Sequence, residues 1–253
     1  MVAKLILTQF LNLEIESFSI ENDEDYLFMD QIYEELMKDY LVPSEYVNLY
    51  LNEFSICREQ DYSYHRSNFM QFLRECVIDY DFFIHAALVK YNDQLFLIIG
   101  DKGCGKTSSS LYLYENGGEV FTDEFVYFKN NKIYSVGRKL ALDEQSIENY
   151  FPNFKKKVSK KIKSKLNVLP KYMLNIDLSD NHEGFNHLDK IIILIPQNNS
   201  EIYLTKKEKY KLIEKQFFVN EEIGNVDVSK IIDTKIEIMM ISEVEDKFYN
   251  EKN

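Results

Sequence analysis

The run "FLIIGDKGCGKTSSSLYLYENGG", Phe96 to Gly118, constrains the chain most: an apolar segment of strand type enters a glycine-rich turn that opens into a helix. Within it, Gly100-Asp101-Lys102-Gly103-Cys104-Gly105-Lys106-Thr107 fits the eight-position pattern G-x-x-x-x-G-K-[ST] without mismatch. Glycines at 100, 103 and 105 let the backbone turn tightly, so that successive N–H groups and the following helix N-terminus converge on phosphate oxygens. The expectation is a nucleotide held by residues 100–108, that is by the loop and by Ser108 beyond it. Lys106 would reach the β and γ phosphates, and the Thr107 hydroxyl would hold Mg2+. ATP is the expected nucleotide, and no base-reading motif separates it from GTP.

The rest of the chain reads as alternating short elements of both kinds. In the first part, "LNLEIESFSI" and "EYVNLYLNEFSI" alternate with near period two, whereas "MDQIYEELMKDYL" sets Ile32, Leu36, Met37 and Tyr40 on one helical face. "NFMQFLRECVI" has the pattern of a further amphipathic helix. "DFFIHAALVKYNDQLFLIIG" predicts two strands joined at Asn92-Asp93 and leading into the glycine loop. The helix after the loop stops at Gly117-Gly118. "EVFTDEFVYFKNNKIYSVGR" predicts two strands around Asn130-Asn131. Further on come a buried strand in "LDKIIILIP", a helix with Thr205 as N-cap, and a last strand in "TKIEIMMI".

Charge divides this series unevenly. Residues 1–80 hold sixteen acids and five bases, which places eleven of the chain's twelve net negative charges there. The expected organisation is an acidic α+β segment over residues 1–80 and a nucleotide-binding catalytic domain over residues 81–253. Against this background "KKKVSKKIKSK", Lys155 to Lys165, packs seven lysines into eleven positions and reads as a solvated helix or a mobile loop. A solvated face is the commoner meaning of such a run and a clamp for an acidic peptide or phosphates the alternative, while the overall charge and the lack of a recognised module argue against nucleic acid.

At 253 residues, 45% hydrophobic and 28% charged, the composition is that of an ordinary globular protein. No apolar run approaches the roughly 20 residues of a membrane span, and the acids after the first methionine do not suit a signal peptide. The expected compartment is the cytoplasm. Three cysteines, Cys57, Cys76 and Cys104, are odd in number and lack metal-ligand spacing, which points to reduced thiols.

One spacing is unusual for a phosphate-loop protein. The acid that helps hold the metal ordinarily follows a full crossover, yet Asp123 comes only sixteen residues after Thr107. That leaves room for a short helix, the Gly-Gly stop and half a strand, so Asp123 is expected on the strand directly beside the loop strand. Residues "IHAALVKYNDQLFLIIGDKGCGKTSSSLYLYENGGEVFTDEFVYF" resemble the catalytic core of the HPr kinase/phosphorylase family, which has a strand with His and a small residue, a hairpin, a glycine loop, a helix ending in Gly and a strand reaching an acidic pair.

The resemblance implies an α/β fold with a phosphoenolpyruvate-carboxykinase-like P-loop core of mixed sheet and helices, after a small N-terminal α+β segment. It also implies a kinase that uses ATP and Mg2+ to phosphorylate a hydroxyl, a serine of a peptide or protein, including a ribosomally made peptide precursor. Free serine or another small metabolite is an alternative acceptor, and a nucleotide-binding switch module without transfer activity is an alternative class. Bifunctional members of that family form oligomers, so a homo-oligomer is a further implication. Glu124 stands where the family's second Asp falls, Lys102 and Cys104 occupy loop positions usually filled by small residues, and the signature supporting phosphorolysis is absent.

The candidate residues follow. Asp123 is the candidate general base, with a solvated strand-end acid as the plain alternative. Glu124 joins Thr107 and Asp123 as a metal ligand only if the strand ends or bends there, because adjacent strand residues face opposite ways. His85 either lines the transfer site or is a satisfied core histidine. Arg138 either balances phosphoryl charge or is a surface arginine, and Lys139 is a weaker candidate of the same kind. His182 and His187 stand five apart in a loop, which is not a zinc-protease spacing.

Overall fold

The computed structural model describes residues 23–41, 47, 50, 62–73, 82–162, 170–181, 183–195, 205–219, 234–239 and 242–244. The chain divides into two compact units, residues 1–78 and 79–253. In the first, helices α1 (Asp23–Asp39) and α2 (Tyr62–Phe72) and a short extended pair, β1 (Tyr40–Leu41), are described. Ile32, Leu36 and Tyr40 are buried as their helical spacing predicts, and Tyr40 meets Phe69 edge to face with ring centroids 5.2 Å apart. Most of the two alternating segments of this unit lies outside the described residues.

The second unit begins with β2 (Phe82–Ile84), β3 (Ala87–Tyr91) and β4 (Gln94–Gly100), followed by α3 (Lys106–Glu115), β5 (Glu119–Thr122), β6 (Phe125–Lys129) and β7 (Lys132–Arg138). Then come β8 (Ala141–Asp143), α4 (Glu144–Asn149), a 3-10 helix (Pro152–Lys157), β9 (Val158–Ile162) and β10 (Lys171–Leu174). The series closes with β11 (Lys190–Leu194), α5 (Lys206–Glu214), β12 (Phe217–Val219) and β13 (Lys235–Met239).

These strands build three sheets in a mixed α/β arrangement. The central sheet has the order β13-β11-β4-β3-β5, with β13, β11 and β4 parallel and β3 antiparallel to both its neighbours. Alternation along its strands sorts the side chains onto two faces. Phe96, Ile98, Ile192 and Leu194 pack with Leu111 and Leu113 of α3, with Leu140, and with Leu142 and Leu174 of the small sheet β8-β10-β9. Leu95, Leu97, Ile99, Ile191 and Ile193 face the other way, toward Phe82, Ile84, Val126, Phe128 and Ile133 of the sheet ordered β7-β6-β2-β12. The unbroken apolar run of β11 is thus a central strand with both faces covered.

Local chemistry fixes the connections. Asn92 and Asp93 have φ of 48° and 58°, and Asn130 and Asn131 have φ of 51° and 64°, the left-handed pairs that two-residue hairpin turns demand. At the end of α3, Gly117 takes φ 90°, Gly118 N–H donates to Leu113 O at 2.8 Å and Gly117 N–H to Tyr114 O at 3.0 Å, a Schellman ending. Thr205 caps α5 reciprocally with Glu208.

Two expectations are corrected here. The strand that leads to Asp123 does not lie beside the loop strand: β3 occupies one edge of β4 and β11 the other, so β5 pairs with β3. Nor is the lysine run a helix or loop throughout. Lys155–Lys157 end the 3-10 helix, but 158–162 form β9, antiparallel to β10, because Val158 and Ile162 are β-branched and lysines suit a solvent-facing edge.

Candidate functional site

Both strands expected around His85 and Asp123 are broken, and the breaks lie alongside each other. β2 belongs to one sheet and β3 to the next, with His85-Ala86 as the crossing; β5 and β6 are divided between the same two sheets, with Asp123-Glu124 as the crossing. Ile84 pairs with Val126 and Leu88 with Thr122, so each chain spends three residues between the pairs; a one-residue bulge in β5 follows, where Val89 pairs with Val120. Residues 85–87 therefore run alongside residues 123–125.

The glycine loop opens at the same end of the central sheet. Gly100 has φ 153°, and a Cβ there would lie 2.5 Å from Cys104 Sγ and 2.7 Å from the Leu194 carbonyl oxygen, so only glycine fits against β11. Cys104 N–H donates to Asp101 O at 3.2 Å and closes the turn. Gly103 has φ 88°, and a Cβ on it would meet nothing within 4 Å, which leaves the space over the loop open. Gly105, with φ 101°, caps α3, whose first bond runs from Ser109 N–H to Gly105 O at 2.8 Å. Burial pushes the Cys104 thiol above its ordinary range, partly offset by Lys106, so Cys104 packs the loop as a neutral group.

Lys106 is buried, and its Nζ donates to Gly100 O at 2.6 Å. Next to it, the half-buried Thr107 hydroxyl donates to Asp123 Oδ2 at 2.8 Å. This bond is possible although β3 intervenes between β4 and β5, because β5 runs parallel to β4 and ends on the side where α3 begins. Lys102 stands exposed at the tip of the loop, and Ser108 is half-buried in the first turn of α3.

Glu124 goes elsewhere. Because the strand ends at Thr122, its side chain is free to turn, and it forms an ion pair with Arg138, the last residue of β7. The two side chains are 21% and 12% exposed, so Arg138 is neither a surface arginine nor free of a counter-charge. Lys139 follows half-buried. His85 donates its backbone N–H to Gln216 O at 3.2 Å, and Gln216 Nε2 donates to Asp101 Oδ1 at 3.5 Å, which ties the corner to the loop. Nothing in the sequence singles out Gln216, 115 residues from Asp101. His187 is exposed on a loop beside Asp189, at 3.6 Å, and His182 lies outside the described residues.

Among the described residues no three His, Cys, Asp or Glu side chains are grouped as a metal cage. Thr107 and Asp123 instead offer one hydroxyl and one carboxylate beside an open phosphate loop, the sparse oxygen set that Mg2+ takes together with phosphates and water.

Fold and loop together define a mixed α/β protein with a strand, glycine-rich turn and helix of phosphate-binding pattern. No family model matches the chain, and no curated protein matches it. Among solved structures, the Hpr(Ser) kinase/phosphatase from Coxiella burnetii is similar over 49% of this chain and 65% of that one, with 13% identity and a TM-score of 0.27. The match thus spans less than two thirds of that protein, and at this score the functional reading rests on the residues of the site. No helix among the described residues is long and apolar enough to cross a membrane.

Proposed function

We propose that this chain is a phosphotransferase, a kinase that moves the γ-phosphate of ATP or GTP to a hydroxyl, on a phosphoenolpyruvate-carboxykinase-like P-loop core. The observation that carries the reading is the Thr107–Asp123 hydrogen bond, which sets a carboxylate at the mouth of the glycine loop. A loop that only bound nucleotide would use that carboxylate for the metal alone, whereas a kinase also uses it as a proton acceptor.

The residues divide the work. Amides of residues 100–108 and the N-terminus of α3 bind the phosphates, and Lys106 exchanges its bond to the Gly100 carbonyl for a phosphate oxygen. Mg2+, held by Thr107 and Asp123, would neutralise charge on the β and γ phosphates. Asp123 Oδ2 is engaged by Thr107, so Oδ1 takes the proton of the attacking hydroxyl. Arg138, held by Glu124, supplies positive charge beside the corner, and Glu124 acts on Arg138 more directly than on a metal. His85 lines the same corner. The acceptor most consistent with the resemblance is a serine in a peptide or protein.

The test combines γ-labelled ATP and Mg2+ with a panel of serine peptides, proteins and free serine, read by mass spectrometry. Transfer to a hydroxyl by the wild type, lost with Lys106→Ala, is the expected outcome. Transfer that survives Lys106→Ala, or tight nucleotide binding with no acceptor phosphorylated, would overturn the reading.

A further inference from the structure

The lysine-rich strand is not used by the chemistry above. β9 is an outer strand of β8-β10-β9, and among the described residues nothing pairs with its outer edge. Lys155, Lys156, Lys157 and Lys161 are exposed, and Lys160 is half-buried. Two of these ammoniums are fixed over aromatic rings: Lys157 Nζ lies 5.0 Å from the Phe154 centroid and 5.3 Å from that of Tyr114, and Lys161 Nζ lies 5.3 Å from that of Tyr172. The end of the 3-10 helix and β9 thus form a basic edge in a chain whose net charge is −12, with Lys155 paired to Glu148 at 3.7 Å.

We infer that the outer edge of β9 docks an acidic, extended peptide segment as a fourth strand. An open edge offers a row of N–H and C=O groups that only another extended backbone satisfies, and the lysines select its charge. A polyanion without a peptide backbone gains the charge but not the ladder, and the protein's own negative charge repels long nucleic acids.

The topology also sets where such a peptide would deliver a hydroxyl, a point that rests on the phosphotransferase reading. β9 runs parallel to β8, and the level of Val158 is fixed by its pairing with Leu174, whose N–H donates to Leu140 O at 2.9 Å. Leu140 is two residues beyond Arg138. A strand added to β9 would lie about 15 Å from β8 at the usual spacing of ~4.8 Å, a gap spanned by about five extended residues. The acceptor should therefore lie about five residues from the acidic segment.

Binding is tested on the full chain without nucleotide. The probes are a fluorescein-labelled ten-residue peptide alternating Asp and Val, its Lys-Val counterpart, and the Asp-Val peptide N-methylated at every residue, which blocks both of its edges. The expected anisotropy shows saturable, salt-sensitive binding of the Asp-Val peptide, roughly 10-fold or more weaker binding of the other two, and a similar loss in Lys156→Glu/Lys161→Glu, whose altered side chains are both exposed. A melting curve like that of the wild type checks the variant's fold, and the N-methylated peptide needs no variant. Equal binding of the N-methylated and parent peptides, or tighter binding of a single-stranded oligonucleotide or of anionic vesicles, would overturn the inference. Docking without phosphate transfer leaves it standing and removes the kinase reading; transfer without docking does the reverse.

Discussion

The Glu124–Arg138 pair invites a double-mutant cycle. Its side chains are only 21% and 12% exposed, so removing one partner leaves a charge largely out of water. Breaking a fully buried pair costs about 3–5 kcal/mol and an exposed one under about 1 kcal/mol; the partial exposure here places each single variant at about 2–3 kcal/mol. For a protein of this size, roughly 2–4 °C in Tm accompanies each kcal/mol, so Glu124→Gln and Arg138→Met should each lower the melting temperature by about 5–10 °C. The double variant removes both charges and leaves neither stranded. It should recover about half of the summed loss of about 4–6 kcal/mol, a coupling of about 2–3 kcal/mol. Calorimetry or circular dichroism of the four proteins measures this. Single variants that melt within 2 °C of the wild type, or a double variant that loses the sum of the two, would refute the claim that this pair pins the corner carrying Asp123.

Asp123→Asn keeps an oxygen for the Thr107 hydroxyl but loses the base, so it should retain fold and nucleotide affinity while slowing transfer about 10²-fold or more; an unchanged rate per bound complex would make Asp123 a holder of metal only. Gly100→Ala should melt well below the wild type because its Cβ meets the Leu194 carbonyl oxygen at 2.7 Å, whereas Gly103→Ala, with open space around its Cβ, should cost only the strain of its φ, about 1–2 kcal/mol. Burial lowers the Lys160 amine to about 8, so it should titrate near pH 8 by NMR of the methylated lysine; a titration above about pH 10 would show that the amine is not desolvated.

What could be read from the sequence was local. Gly-Gly after a helix, Asn-Asp or Asn-Asn between alternating segments and Thr205 three residues before Glu208 act within a few bonds of themselves, and each makes its expected turn or cap. The glycine loop belongs to the same class. Partner choice among strands was not legible, because β3 separates β4 from β5 through pairings that a linear pattern does not carry. "FFIHAALV" and "EVFTDEFVYF" each read as one strand, since apolar alternation continues through a corner where the chain changes sheets. The Arg138 partner and Gln216 come from distant parts of the chain, and the lysine run obscured β9 because charge indicates exposure without saying which backbone is exposed.

The paired corners, finally, restrict how this chain can change its length. Loops ordinarily absorb an extra residue at little cost. Here one residue inserted between Thr122 and Phe125 would turn every side chain of β6 to the wrong face, or force β2 to slip against it, and a deletion between Ile84 and Ala87 would do the same from the other side. An insertion scan should therefore find residues 84–87 and 122–125 as intolerant as a buried strand. It should find the turns at Asn92-Asp93 and Asn130-Asn131, each at the end of a single hairpin, far more forgiving.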